Sequence, residues 1–342
     1  MAVLIKWRRD TSANWTSTNS VLHQGEPGFE TDTGAFKIGD GTTAWNSLAY
    51  ATFSHNPFTT MFGDQVSGDP SSAAATKLKV YGKNIAGRMF LKQIGPNGLS
   101  TAIQPFLARN KVGSWIPQGN SVTVPGVFGY TAPTAIGTAT AVNVATTNMF
   151  TRMRRLSYVS ATTASSYAGQ RVAIAQINLD AGFYKIVRFG ISDASIASPA
   201  NMFIGVSSTV AAPAGGTEPS ALLNSIGVGH TSSDTNLKIF YAGSVAQTPI
   251  DLGSNFPINT VNTDVYELAL FAPPFKDNVV YYEVTRVNTG NVATGVITAD
   301  TSGSALPAPQ LLLTYGYHWR CNLATGLAVS LDIMSDYIET DY

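Results

Sequence analysis

The sequence predicts an all-β protein, and three observations carry that reading. Amphipathic helical stretches are nearly absent. The one candidate, "IQPFLARN" at 103–110, contains Pro105, which has no N–H to donate to a helix. Elsewhere, segments rich in Val, Ile, Tyr and Phe and bounded by Gly, Pro, Asn and Asp read as strands. They follow one another without helices between them. Antiparallel pairing follows, because parallel strands need long crossovers. A sandwich or barrel is the architecture that accommodates so many short strands.

Taken in order, the chain opens with turn-rich and aromatic residues. "FETDTGAFKIGDGTTAWNSLAY" (29–50) places Gly34, Gly39 and Gly41 among Phe29, Phe36, Trp45 and Tyr50. Its "GDGTTAW" lacks the lysine and following helix of a phosphate-binding loop and reads as a tight hairpin turn. Residues 1–52 are a first module. Residues 53–76, with no periodicity and a Ser/Ala run, read as a linker. Residues 77–342 read as one β-sandwich domain with an irregular insertion near 129–150, where an Ala/Thr-rich stretch fits either a surface excursion or a strand pair.

Within that domain the predicted strands are "RVAIAQINL" (171–179), "FYKIVRFGIS" (183–192), "MFIGVS" (202–207), "NLKIFYAG" (236–243) and "VYELALFA" (265–272). "VVYYEVTRV" (279–287), "ATGVIT" (293–298), "QLLLTYGYHW" (310–319) and "GLAVSLDIM" (326–334) complete the set. The alternation is strict around 183–191. Tyr184, Ile186, Arg188 and Gly190 share one face; Phe183, Lys185, Val187, Phe189 and Ile191 share the other. Internal repeats are not evident.

Composition narrows the function. The 342 residues are 44% hydrophobic but only 12% charged, and 21 basic residues balance 21 acidic ones. Such a chain has no long-range field to draw in nucleic acid or an anionic membrane. Low charge with abundant small residues suits a rigid, assembled or extracellular structure. No apolar run reaches the ~18 residues of a membrane span, and "MAVLIKWRRD" lacks a signal-peptide cleavage site. Synthesis in a cytosol and release by lysis are the expectation. The single cysteine, Cys321, excludes an intramolecular disulfide and a cysteine-based zinc site and reads as a buried thiol.

Chemical motifs are sparse. His23, His55, His230 and His318 are scattered, with no metal-ligand spacing. "VGHTSSDTN" (228–236) brings His230 near Asp234 across two serines, but a polar turn accounts for the same letters. A glycosidase needs two placed carboxylates. The candidates are Asp180, Asp193, Glu218, Asp234, Asp251, Asp264, Glu267, Glu283 and Asp332. Glu267 and Glu283 sit within predicted strands, where solvent-facing positions are the simpler reading. The basic run "TRMRRLSYV" (151–159) reads as a solvated or interface strand.

The first fifty residues also resemble a known family. Arg8-Arg9, Trp15, "LHQGEPGFETDT" at Leu22 to Thr33 and "KIGDGTTAWNSLAY" at Lys37 to Tyr50 follow, in order, the N-terminal module of phage tail and receptor-binding proteins of the major tropism determinant type. The resemblance implies an intertwined trimeric β-prism that serves trimerisation and attachment. Trp7, Phe29, Phe36, Ile38 and Trp45 would then pack between subunits. No C-type lectin pattern follows, so that family's receptor and variable binding residues do not transfer. Residues 80–115 are similar to tail-fibre segments. From Met202 onward the strand order resembles concanavalin-like jelly rolls.

The resulting expectation is a virion structural protein: a trimeric tail fibre that recognises a host receptor during adsorption. A capsid decoration or head-fibre protein is the first alternative, and a glycan-cleaving tailspike the second. The expected partners are two further copies of the chain, other tail or capsid proteins through the N-terminal module, and a host surface glycan or outer-membrane component. Nucleic acid, cofactors, metals and catalysis are not expected. Location in the virion, after assembly in the host cytoplasm, goes with this reading. The receptor-binding residues are unassigned.

Overall fold

The computed structural model describes residues 7–51, 69–96, 100–102, 111–124, 131–193, 199–258, 261–274, 279–300 and 302–340. The helix candidate 103–110, residue 52 of the first module and residues 53–68 of the expected linker lie outside the described residues. The chain divides into two compact units, 1–62 and 63–342.

The first unit holds β1 (Arg8–Asp10), α1 (Ser12–Thr18), β2 (Pro27–Glu30) and β3 (Phe36–Ile38). β1 pairs in parallel with β2, and β2 antiparallel with β3. α1 departs from the all-strand expectation. It has one buried residue, Trp15, so no apolar stripe announces it in the sequence. Caps hold it instead. The Thr11 hydroxyl accepts the Asn14 N–H at 3.3 Å, and Asn19 closes the C-terminus at φ 45°. The Asp32 carboxylate takes the Ser12 N–H at 2.8 Å and the Ser12 hydroxyl at 2.6 Å. These bonds hold the Asp32 carboxyl below its usual range.

The second unit begins with β4 (Lys79–Ile85), β5 (Arg88–Ile94) and β6 (Ser100–Ala102), a small antiparallel side sheet. Residues 69–76, expected within a loose linker, are tied to it: Ala73 is buried, its N–H donates to Gly95, and Lys92 pairs with Asp69 at 3.1 Å. Next come β7 (Lys111–Trp115), β8 (Thr134–Ile136), β9 (Thr138–Ala141), α2 (Met149–Arg152), β10 (Leu156–Val159), β11 (Ser166–Arg171), β12 (Phe183–Gly190) and β13 (Ala200–Ser207). A 3-10 turn at Pro219–Ala221 precedes β14 (Ser225–His230), β15 (Lys238–Ala242), β16 (Ile250–Asp251) and β17 (Val265–Ala272). β18 (Val279–Arg286), β19 (Asn291–Thr298), β20 (Thr314–Asn322) and β21 (Ser330–Thr340) end the fold.

These strands build two antiparallel sheets. The first runs β19-β18-β17-β12-β21-β10-β9, and β7 pairs with the last residues of β21. The second runs β16-β15-β14-β13-β20-β11-β8. Their inner faces share one apolar cluster, with Val187, Leu268 and Val284 from the first sheet and Ile204, Val228 and Ile239 from the second. The sheets therefore pack as a sandwich. The alternation read in the sequence places Phe183, Val187 and Phe189 in this core. The opposite face of β12 is covered too. Tyr184 and Ile186 pack under the side sheet with Phe90 and Ala86.

Two expectations needed correction. "RVAIAQINL" is not a strand: β11 ends at Arg171, and only an isolated bridge, Ile177 to Leu313, follows. The strand is the preceding "SYAGQR", whose Ser and glycine weakened its signal. The insertion near 129–150 is partly strand. β8 joins the second sheet and β9 the first, with Gly137 at the crossing. "SIGVGH" is a buried strand, β14, between β13 and β15. Its glycines allow the backbones of β13 and β14 to approach closely.

Candidate functional site

The N-terminal sheet has two unlike faces. On one, Gly28 lies so close to the stacked pair Trp15 and Trp45 that a Cβ there would fall 2.6 Å from the Trp45 ring. Those two indoles, with centroids 4.1 Å apart, and Leu22 form the unit's small core. Lys37 is buried there. Its Nζ donates to the Trp45 carbonyl at 2.7 Å and lies 4.2 Å from the Tyr50 ring centroid. The buried Glu30 accepts the Tyr50 hydroxyl at 2.7 Å. Asp40 folds the "GDGTT" turn by accepting the N–H groups of Thr42 and Thr43 at 2.9 and 2.7 Å.

On the other face, Phe29 lies across from Phe36 and Pro27 across from Ile38. Trp7 reaches Phe36, with ring centroids 6.4 Å apart. Trp7 and Ile38 are 54% and 47% exposed, and Phe29 and Phe36 are half-buried. Four of the five expected packing residues thus share one open apolar face. Trp45 does not belong with them. It is 1% exposed within a single chain, because it fills the space above Gly28.

The carboxylates singled out in the sequence are not gathered into one cleft. Glu267 accepts two bonds from Arg188, at 3.0 and 2.5 Å. Glu283 accepts the N–H of Ala86 at 3.3 Å, in the β4–β5 turn. Gly87 of that turn has φ +76° and rests on the Tyr281 ring, where a Cβ would sit 2.6 Å away. Asp264 is gripped by Arg286 at 2.9 Å through both oxygens. Asp234 pairs with Lys238 at 2.6 Å and accepts the Thr231 N–H. Asp251 accepts the Gly253 N–H, and Glu218 precedes the 3-10 turn. Asp180 lies between β11 and β12.

His230 turns its Nδ1 to the Thr231 carbonyl at 3.0 Å and is buried, so "HTSSD" is a polar turn. Cys321 is buried against Trp319 and Tyr317, and burial pushes its thiol up. Among the described residues no group of three or more His, Cys, Asp or Glu is placed to share a metal ion.

Sequence reading missed the charges held inside the sandwich. Lys185 sits in the apolar row of β12, bonded to Asp336 of β21. His318 of β20 donates from Nε2 to the same carboxylate at 3.0 Å, while its Nδ1 accepts the Gly205 N–H at 3.2 Å. Burial, then Lys185, pushes the His318 imidazole below its ordinary value. Burial acts to raise Asp336, but Lys185 and the His318 bond hold it below the usual carboxylate range. Arg320 and Ser330 bind the buried Asp193. Arg155 of the basic run is not solvated either; it pairs with the buried Asp332 at 2.9 Å. The signal available in the sequence was a charged residue inside an alternating apolar row.

Where the side sheet meets the first sheet, a cavity of about 190 Å³ opens. Arg88 and Glu339 form an ion pair on its wall, beside Tyr184, Phe271 and the backbone around Gly182 and Pro274.

With this geometry in view, comparison with known proteins places the N-terminal segment. Residues 5–43 match the family described as "Major tropism determinant N-terminal domain". This match covers the first strand, the helix and the Gly-Asp turn. A curated relative, "Hyaluronoglucosaminidase" of Streptococcus pyogenes phage H4489A, is 40% identical over 48 residues. That overlap is 14% of this chain and 13% of the relative, so the chain spans about an eighth of that protein's length. Similar solved structures include a protein of unknown function from Shewanella oneidensis MR-1 (14% identity, 68% of this chain, 86% of that one, TM-score 0.44). Peanut lectin with a nonamer peptide matches at 14% identity over 68% of this chain and 97% of its own, with TM-score 0.43. Lectin I of Ulex europaeus, in complex with the methyl glycoside of α-L-fucose, matches at 11%, over 68% and 98%, with TM-score 0.43.

Proposed function

We infer that this chain is a phage virion protein, a homotrimeric tail fibre that recognises the host surface during adsorption. The observation that carries the reading is the open face of Trp7, Phe29, Phe36 and Ile38, within the segment that matches the tropism-determinant domain. A chain of zero net charge that leaves an exposed tryptophan beside an exposed isoleucine has surface to bury, and three copies around an axis bury it. The trimeric prism is built from these faces, while Trp15, Leu22 and Trp45 hold each chain's module together. The module also attaches the trimer to other tail proteins.

The sandwich, a jelly roll of the concanavalin-like kind, is the part presented to the host. Its target is a surface glycan, and three weak sites acting together supply the avidity. Assembly takes place in the host cytoplasm. Sedimentation of the full chain tests the first step. A trimer that persists in high salt supports it, because apolar burial is insensitive to screening; a stable monomer at micromolar concentration defeats it.

The glycan-cleaving reading draws on the relative named hyaluronoglucosaminidase. The overlap with that relative is short, and Glu267 and Glu283 are each engaged in structural bonds, so this stays the second reading.

A further inference from the structure

We propose that Lys185 and Asp336 condense into an intramolecular amide, a covalent cross-link between β12 and β21 inside the sandwich. The cross-link is independent of what the protein recognises.

The fold brings the two reacting groups together. β12 and β21 are neighbours in the first sheet, with Lys185 across from Ile338 and Val187 across from Asp336. Val187 and Ile338 belong to the apolar core, so the two charged residues stand in that row. Both side chains are fully buried. Lys185 Nζ bonds to Asp336 Oδ1, and from the opposite sheet His318 Nε2 donates to Oδ2 at 3.0 Å. Amine and carboxyl held in contact by a rigid scaffold react as if at concentrations of ~10⁵–10⁸ M.

Burial supplies the direction. An ammonium carries three N–H donors. Among the described residues Asp336 is the one acceptor that Lys185 meets, and Nζ lies 5.4 Å from the Tyr315 ring centroid. Two charges and two N–H donors are thus kept from water in an apolar core. An amide carries no charge and a single N–H, so condensation removes most of that cost. Burial also lowers Lys185 toward the neutral amine that attacks. Asp336 is raised by burial and held low by Lys185 and the His318 bond. Once Lys185 gives up its proton, the first of those two holds disappears.

The atoms balance within the pair. The ammonium passes one proton to Oδ1, which leaves an amine and a carboxylic acid. The Nζ lone pair attacks Cγ, and the C=O electrons move onto Oδ2. There the His318 Nε2–H stabilises the developing charge, which makes His318 the catalytic donor. The nitrogen then gives its second proton to Oδ1 as the C–Oδ1 bond breaks, and Oδ1 departs as water. Oδ2 remains as the amide carbonyl and still accepts from His318. The product joins residues 151 apart in sequence and fixes β21, which lies between β12 and β10, into the sheet. Chains not yet linked keep the ion pair and its titration.

Mass spectrometry of the purified, denatured full chain tests the proposal. The wild type should be lighter than its sequence by one water. Trypsin should leave Lys185 uncut and yield a branched peptide joining 172–188 to 321–342. Lys185→Met should keep the full mass of its own sequence. A wild type of full mass without the branched peptide would overturn the proposal, as would a water loss that persists in Lys185→Met. Should Lys185→Met fail to fold, the branched peptide of the wild type still decides. His318→Leu, checked for folding by circular dichroism, should link roughly 10²-fold more slowly in freshly synthesised protein, the loss expected for one oxyanion donor. Linkage as fast as wild type in a folded His318→Leu would overturn the role given to His318.

Discussion

The two units solve the same problem, holding short strands together, in opposite ways. The N-terminal unit buries few apolar side chains, chiefly Trp15, Leu22 and Trp45, and leaves an apolar face open. Two of its charged motif residues work at the periphery, Asp32 at a helix start and Asp40 in a turn, while Glu30 and Lys37 are buried. The sandwich has a large apolar core and places charge inside it, in the Lys185–Asp336–His318 and Arg320–Asp193 groups. The small module buries its charges singly, each against a neutral oxygen, whereas the deep sandwich buries cations and carboxylates in contact with one another. Polar residues therefore fold turns and flank a thin core in the first unit and form ion pairs inside the core of the second.

The largest expected effect breaks the second arrangement. Asp336→Ala strands the Lys185 ammonium in the core and should cost about 3–5 kcal/mol. Replacing both partners with apolar residues, Lys185→Met with Asp336→Leu, should cost less than the single change. Urea unfolding of the three proteins measures this. A single variant within about 1 kcal/mol of wild type would show that the pair is not buried as described.

The next test separates the two faces of the N-terminal sheet. Trp45→Ala removes a buried indole and should cost ~3–5 kcal/mol, enough to unfold a unit this small. Ile38→Ser, on the open face, should leave the unit folded but weaken trimer formation, by about 1.5–3 kcal/mol for each buried side chain lost. Limited proteolysis reads folding and sedimentation reads assembly. If Trp45→Ala stays folded but dissociates, the indole belongs to the interface after all.

This contrast also explains what was legible in the sequence. β12, β17 and β18 were readable because their inward positions are β-branched, aromatic or Leu and their ends carry turn residues. α1 was not, since its stability comes from Thr11, Asn19 and the distant Asp32 rather than from a periodic stripe. Lys185 was placed on the correct face, but nothing local announces that Asp336, 151 residues away, would meet it. Four of the five aromatic and aliphatic residues chosen for packing share a face because strand alternation is local. Trp45 lies in a turn, outside any strand, and alternation says nothing about it.

A smaller effect comes from pH. Burial, then Arg320, pushes His230 down to about 4, and burial, then Lys185, lowers His318 from the ordinary value of 6.5. Between about pH 6.5 and 4 the unfolded chain therefore binds protons that the folded chain refuses, and stability falls as pH falls. The slope is up to about 1.4 kcal/mol per pH unit for each histidine. Asp336, held low, adds its loss only below its unfolded value of 3.8. Melting at pH 7.5 and 5.0 should show the drop, and His230→Gln should shrink it. A melting temperature that is flat across this range would contradict the burial of both imidazoles.

The smallest expected effect falls on Glu267. The Arg188–Glu267 pair has side chains 35% and 25% exposed, so solvent screens it. Ion pairs of that kind contribute about 0–1 kcal/mol. Glu267→Gln keeps the shape and one acceptor for Arg188, and should move the unfolding midpoint by no more than that. The same variant tests the catalytic alternative. A glycosidase carboxylate must be free to donate a proton or attack, and losing it abolishes turnover. Here both Arg188 bonds fall on one oxygen of the carboxylate and tie the side chain to the neighbouring strand, so it is not free to turn to a substrate. Purified wild type and Glu267→Gln, incubated with bacterial envelope polysaccharide, should both release no new reducing ends. Release by wild type that disappears in Glu267→Gln, with stability unchanged, would make this exposed pair the catalytic centre and the recognition role secondary.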